Sequence, residues 1–265
     1  METAKLVLIS PRRAEQMLNK NTQNRKLREG VAEKYAHDMK HGRWTQCIAP
    51  IAIYEDGNIA DGQHRLWAIV EAKTPQKFYV IHGVKREDGF NIDNGIPRNI
   101  IDNARIAGRT NSEHMTTETV SLARAIEQGD RASANLSFAD RMDMFEKHYA
   151  AVQWACRFGA HGRYLRNAVV NGAIARAWYA EEDKERLAKF GEVLSSGLTD
   201  SADDWAAITL RNMLLSDHVM MHTGAAWKDS FKKCQRAIYN FMRRKPLKVL
   251  KMQSEECYPL KKVKK

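Results

Sequence analysis

The stretch IAPIAIYEDGNIADGQHRLWAIVEA, residues 48–72, changes its apolar period midway, and this limits what the chain can fold into. IAPIAIYE (48–55) shows the β-branched alternation of a strand, and Asp56-Gly57 supplies a hairpin-type turn. NIAD then returns as a second strand and runs into Leu66, Trp67, Ile69 and Val70, whose spacing is helical. A sheet and helices must therefore coexist, with one glycine, Gly62, standing where strand becomes helix.

The same alternation extends over the first part of the chain. KLVLI (5–9) reads as a strand, and Ser10 caps a helix that has Pro11 at its first position, where a missing N–H costs nothing. Val31, Tyr35 and Met39 mark an amphipathic helix ended by Gly42, and KFYVIHGV (77–84) reads as a buried strand. Pro97 is expected to open a helix through Ile100, Ile101, Ala104 and Ile106 that closes at Gly108. Beyond Gly108 nearly everything reads as helix, with starts at Ser137 and near Ser201. The apolar stripe IARAWYA (174–180) is assigned to a core.

The expected fold is α+β. Residues 1–108 form a small mixed sheet with helices, residues 109–242 an all-α domain, and residues 243–265 a basic C-terminal tail. Charge follows this division. The formal net charge is +11; residues 1–108 contribute +4, residues 109–242 nothing, and the last 23 residues +7. Such an excess favours a polyanionic partner, DNA above all. Arg243, Arg244, Lys245, Lys248 and Lys251 are the candidate phosphate contacts, because clustered cations release condensed counterions when they meet a phosphate backbone. A solvated, frayed tail is the other reading of the same residues.

The four cysteines, Cys47, Cys156, Cys234 and Cys257, have no metal-ligand spacing and read as reduced thiols. The N-terminal METAKLVLISPRR has too short an apolar run for a signal peptide, and no stretch reaches membrane-spanning length. A soluble protein of a cytoplasm is expected, with no membrane partner. His37, His41 and His82 show no ligand spacing, RRAEQ (12–16) reads as a solvated helix face, and HGRYLR (161–166) is a weaker candidate for nucleic-acid contact.

Asp61, Gly62, Gln63, His64 and Arg65 follow one another at the strand-to-helix junction. A glycine there lets backbone approach a ligand, and the first amides of the following helix face an anion at the positive end of its dipole. Arg65 can fork onto phosphate oxygens, and His64 can donate to them or move a proton. Asp61 would repel phosphate unless it bound a metal or accepted a proton from an attacking hydroxyl. A second reading stays open on residue types alone: Asp61 caps the helix while His64 and Arg65 satisfy local carbonyls. Downstream, Asp93, Asn94 and Gly95 read as a turn before Arg98, either a metal-and-phosphate pair or a cap with a surface ion pair.

DGQHRLWAI resembles the signature of the ParB/sulfiredoxin superfamily, in which a glycine-led His-Arg or Arg-Arg motif heads a helix after a strand. NTQNR (21–25) resembles the first box of ParB N-terminal domains, and IAPIAIYEDGNIADGQHR resembles the family's strand–turn–strand passage. The resemblance covers about residues 5–108. It implies that Gly62, Gln63, His64 and Arg65, with Arg25 and Arg98, hold the phosphates of a nucleoside triphosphate. It also implies that Asp61 and His64 are the catalytic pair and that Asp61 and Asp93 hold Mg²⁺. Gln63 stands where sulfiredoxin has its cysteine and where nucleotide-hydrolysing ParB clamps have glutamate, which removes the first chemistry and weakens the case for the second. The aspartate before the glycine is shared with the superfamily's free-serine kinases and with DGQHR-type proteins linked to DNA modification.

The function expected from the resemblance is that of a DNA-associated, nucleotide-binding ParB-like protein of a phage or mobile element, acting in a bacterial host cytoplasm. Its Mg²⁺-dependent phosphoryl chemistry would be NTP hydrolysis or kinase-like transfer. Two alternatives stand beside it: a ParB-like DNA nuclease, and a non-catalytic DNA-binding or partner-binding regulator with a vestigial nucleotide site. ParB relatives often dimerise, so a homodimer is implied, although no heptad marks an interface.

Overall fold

A computed structural model describes residues 4–21, 24, 26–45, 49–91, 99–129, 136–158, 165, 167–216, 224–251 and 254–260. The chain is α+β and mostly helical, with one small mixed sheet among the described residues. It divides into two compact units, Met1–Arg98 with Asn135–Ala139, and Asn99–Ala134 with Asp140–Lys265.

In the first unit, β1 (Lys5–Ile9) leads through Ser10 into α1 (Pro11–Asn19). The Ser10 side chain accepts the Arg13 N–H at 3.2 Å, and Pro11 takes the first position, as its fixed φ favours. After α2 (Glu29–Lys40) come β2 (Ile51–Tyr54) and β3 (Ile59–Asp61), joined by the Asp56-Gly57 turn. That turn closes with the Gly57 N–H on the Tyr54 carbonyl and Asp56 Oδ1 on the Asn58 N–H. Then α3 (Gln63–Ala72) leads to β4 (Gln76–Val84).

The strands lie in the order β1-β4-β2-β3, with β4 antiparallel to β1 and parallel to β2, and β3 antiparallel to β2. A parallel pair needs a crossover, and α3 lies in it. It packs against α1 and α2, burying Leu66, Ala68 and Ile69 against Met39, Ile51, Ile59 and Phe78.

Beyond Arg98 the described chain is helical: α4 (Ile100–Ile106), α5 (Thr117–Gln128), α6 (Phe138–Lys147), α7 (Tyr149–Cys156), α8 (Ala168–Ala180), α9 (Lys184–Ser196), α10 (Trp205–Ser216) and α11 (Gly224–Met242). Here α8 is central and buried from Val169 to Ala177, packed on α5, α7, α9 and α11. Of IARAWYA, Ile174 to Ala177 are core and Trp178 packs against it, whereas Tyr179 and Ala180 are exposed. Gly172 permits the close approach, since a Cβ there would stand 2.7 Å from the Ala125 Cβ and 3.3 Å from the Phe231 ring.

Two boundaries differ from the sequence reading. The units part between Arg98 and Asn99, not at Gly108. Helix α4 opens on a reciprocal capping box between Asn99 and Asp102 rather than at Pro97, and its Ala104 is buried in the helical unit's core with Met115, Ile126 and Phe145.

A further difference concerns the C-terminus. Residues 243–260 are not a frayed tail where described: Leu247 and Tyr258 are buried in the main helical core, with Leu250 and Cys257 packed against it. Burying these apolar side chains outweighs the freedom a charged tail would keep in water. Arg176 of α8, also buried, donates to the Tyr258 carbonyl at 3.1 Å and to Glu256 at 3.1 Å. It donates as well to the Ile126 and Glu127 carbonyls, orphan acceptors in the last turn of α5.

Candidate functional site

Gly62 caps α3 from the left-handed region, at φ 100°. The space beside it is occupied by β2, because a Cβ at Gly62 would stand 2.5 Å from Ile51 Cδ1 and 3.3 Å from Ile51 Cα. Strand β3 sets the direction of the neighbouring carboxylate, since Asp61 pairs in register with Ala52 and turns both oxygens into the motif. Oδ1 accepts the Gly62 N–H at 2.6 Å, and Oδ2 accepts from Arg65 Nη2 at 2.6 Å.

Arg65, one helical turn on, is mostly buried. Its guanidinium also donates to the Ala49 carbonyl at 3.2 Å and the Pro50 carbonyl at 3.1 Å. The segment entering β2 is thus tied to the head of α3.

Gln63 is buried, and its Oε1 accepts from Asn21 Nδ2 at 3.4 Å. His64 Nε2 accepts the Arg28 N–H at 3.0 Å, so that ring nitrogen carries no proton in this arrangement. Asn24 Nδ2 donates to the Ile59 carbonyl at 2.9 Å. Asn21 thus ties the box NTQNR to Gln63 of DGQHR, while Asn24 of the same box reaches β3 at Ile59. The sequence reading had singled out Arg25 in that box, and the asparagines are what it missed; their signal was two amide side chains three residues apart, ahead of α2.

Arg25, Asp93 and Arg98 lie outside the described residues. Asp61 and Arg65 are opposed to each other rather than to a ligand. Of the two carboxylates expected to hold Mg²⁺, Asp93 lies outside the described residues, and Asp61 is bonded to a guanidinium and a backbone amide. No side-chain hydrogen bond caps α3 and its first turn carries no carboxylate, but the Asp61 carboxylate sits on the amide of the N-cap Gly62, at the positive end of the helix dipole.

The other candidate surface is the C-terminal strap. Arg243, Arg244, Lys245, Lys248 and Lys251 are all exposed, with Leu247 turned inward among them. Two are already engaged: Arg243 pairs with Glu181 at 3.0 Å and stacks over the Tyr239 ring, and Arg244 pairs with Asp203 at 3.4 Å. Glu181 also accepts from the Tyr258 hydroxyl at 2.6 Å.

No family model, curated protein or solved structure matches the chain. No helix among the described residues is long and apolar enough to cross a membrane.

Proposed function

We propose that this chain is a non-catalytic, DNA-associated regulator of ParB-like kind, in which the strand–glycine–helix turn acts as a structural buckle. The observation that carries this reading is the closure of Arg65 on Asp61 and on the Ala49 and Pro50 carbonyls. The cation a phosphate would need and the carboxylate an attacking hydroxyl would need neutralise each other. Recruiting either group to a ligand would first require this pair and the two carbonyl contacts to open. Gln63 adds a neutral amide, bonded to Asn21, in place of an ionisable side chain.

DNA association is supported by charge. The chain carries +11, and the strap presents a run of exposed basic residues. Binding through them would be dominated by counterion release and would carry little base information.

A second reading, nucleotide binding at the same turn, is favoured by one feature: the uncapped head of α3 behind a left-handed glycine. In it Gly62, Gln63, His64 and Arg65 hold phosphates after Arg65 leaves its carbonyls.

Fluorescence anisotropy with a duplex of about 20 base pairs, titrated from low to high KCl, tests the DNA arm; the expected result is a linear fall of log affinity with log salt. Replacing Lys245, Lys248 and Lys251 by glutamine should flatten that slope by about 2–3, and an unchanged slope would remove the strap from the interface. A panel of nucleoside triphosphates with Mg²⁺ tests the other arm. No hydrolysis and no DNA cleavage are expected; turnover lost in Asp61→Asn would overturn the non-catalytic reading.

A further inference from the structure

The last turn of α2 gathers donors that the turn at Gly62 does not use. The sequence reading gave His37 and His41 no ligand role, yet residues four apart on a helix share one face. Both are exposed, and their ring centroids are 4.3 Å apart with planes inclined by 44°. Two imidazoles bound to one ion at a right angle have centroids about 4.6 Å apart, given metal–nitrogen bonds of about 2.1 Å. The pair thus stands close to chelating distance. The two histidines of helical zinc motifs have the same i, i+4 spacing.

Hydrogen bonds set the tautomers. His41 Nδ1 donates to the His37 carbonyl at 2.7 Å, which leaves the lone pair of the neutral ring on Nε2. A carbonyl holding the other ring nitrogen is the usual way a metal-binding histidine is oriented. At His37 the lone pair is on Nδ1, because that atom accepts from Arg43 Nη2 at 2.9 Å.

Asp38 supplies an oxygen beside them. Its side chain is 13% exposed, and Oδ1 is buried yet makes no hydrogen bond among the described residues. That oxygen lies 3.9 Å from His37 Nδ1. Neighbouring ligand atoms on one ion are about 3.0–3.4 Å apart, so a small shift brings the two into range. Arg43 Nη2 is 2.9 Å from the nitrogen and 3.3 Å from the oxygen, a cation already drawn to the place between them. The C-terminal end of α2, where His41 is the C-cap, adds the negative end of the helix dipole.

We infer that His37, Asp38 and His41 bind one divalent transition-metal ion of the kind Zn²⁺ represents, which displaces the Arg43 guanidinium and keeps water in its remaining positions. Two imidazole nitrogens and one carboxylate oxygen suit Zn²⁺, Ni²⁺ or Cu²⁺, whereas Mg²⁺ takes oxygen ligands. The site is separate from the Mg²⁺ expected at Asp61 and does not depend on the DNA reading.

The test uses the full chain and ZnCl₂ alone, titrated by calorimetry in a buffer that does not bind metals. One tight equivalent should bind, and excess MgCl₂ should not compete. Losing a ligand should cost at least what losing a ligand's hydrogen-bond partner costs, so His37→Ala and His41→Ala should each weaken binding by about tenfold or more. Arg43→Gln should bind zinc more tightly than the parent, because the competing cation is gone. With Cu²⁺ in place of zinc, electron paramagnetic resonance should show coupling to two imidazole nitrogens. Both histidines are exposed, so without metal the variants should unfold within about 2 °C of the parent. Added ZnCl₂ should raise the unfolding temperature of the parent and not that of the double variant His37→Ala/His41→Ala. The inference falls if zinc does not bind, or binds the double variant as tightly as the parent. It also falls if Arg43→Gln binds no better than the parent, since His37 Nδ1 and Asp38 Oδ1 would then not be ligands.

Discussion

Asp61 and Arg65 meet at 2.6 Å across one turn of backbone, and the same guanidinium reaches the Ala49 and Pro50 carbonyls from the start of β2. A single side chain thus joins the end of one strand, the head of a helix and the approach to a second strand. Arg65→Ala should lower stability in urea unfolding by about 2–4 kcal/mol, because it leaves a carboxylate and two carbonyls without their donor. Arg65→Lys should recover only part of this, since an ammonium cannot fork across the three acceptors. The double variant Asp61→Asn/Arg65→Ala should cost less than the sum of its parts. Stability unmoved in Arg65→Ala would return the side chain to a ligand-binding role.

Gly62 and Gly57 both have positive φ, but their surroundings differ. At Gly57 a Cβ would meet nothing within 4 Å, whereas at Gly62 it would run into Ile51. Gly57→Ala should cost about 1 kcal/mol, from backbone strain alone. Gly62→Ala should cost about 2–4 kcal/mol, since overpacking against β2 is added to that strain. Thermal unfolding of the two variants side by side checks the ordering, and equal losses would mean that β2 yields to the added methyl group.

Acid should loosen the helical unit through Glu127. The His148 ring at 2.6 Å is the largest influence on its carboxyl; burial opposes it and Lys147 at 2.7 Å assists, lowering the pKa from 4.5 to about 2. A carboxyl with a depressed folded-state value takes up protons on unfolding, so its stabilisation is complete above about pH 4.5 and is lost as pH falls toward 2. Glu127→Gln should therefore show a lower unfolding temperature than the parent at pH 6 and converge on it near pH 2.5. Parallel profiles would show that the pair contributes nothing.

Cys234 should be inert while the protein is folded. It is fully buried in the main helical core, and that burial pushes its thiol up to about 12. Iodoacetamide at pH 8 should leave it unmodified by mass spectrometry until denaturant is added, since the thiolate is the reacting form. Alkylation at the rate of a free thiol would mean that α11 opens locally.

The strap should be separable into charge and packing. Replacing Lys245, Lys248 and Lys251 by glutamine should leave the unfolding temperature within about 2 °C of the parent, because exposed substitutions rarely move stability. Truncation after Arg244 should lower it sharply. Core positions filled by Leu247 and Tyr258 would be vacated, and Arg176 would lose Glu256 and the Tyr258 carbonyl. A truncated chain as stable as the full one would make the strap an appendage.

Much of the architecture could be read from local pattern. The Ser10-Pro11 start of α1, the Asp56-Gly57 turn, the strands at 5–9 and 77–84 and the helix after Gly62 depend on neighbours in the chain, where capping, turn chemistry and apolar period act directly. The strand-to-helix junction at Gly62 was legible in the same way. What the junction's side chains do was decided by tertiary structure. Whether Arg65 faces a ligand or the Ala49 and Pro50 carbonyls depends on how β2 and β3 pair, and no residue near Arg65 in sequence encodes it. The C-terminal lysines looked like a solvated arm because charge dominates a local window. Leu247 and Tyr258 hold that segment down only because α8, α10 and α11 build a core for them, and Arg176 can be buried only where distant carbonyls converge to meet its donors. Local chemistry specified the elements; long-range packing assigned the polar groups their partners.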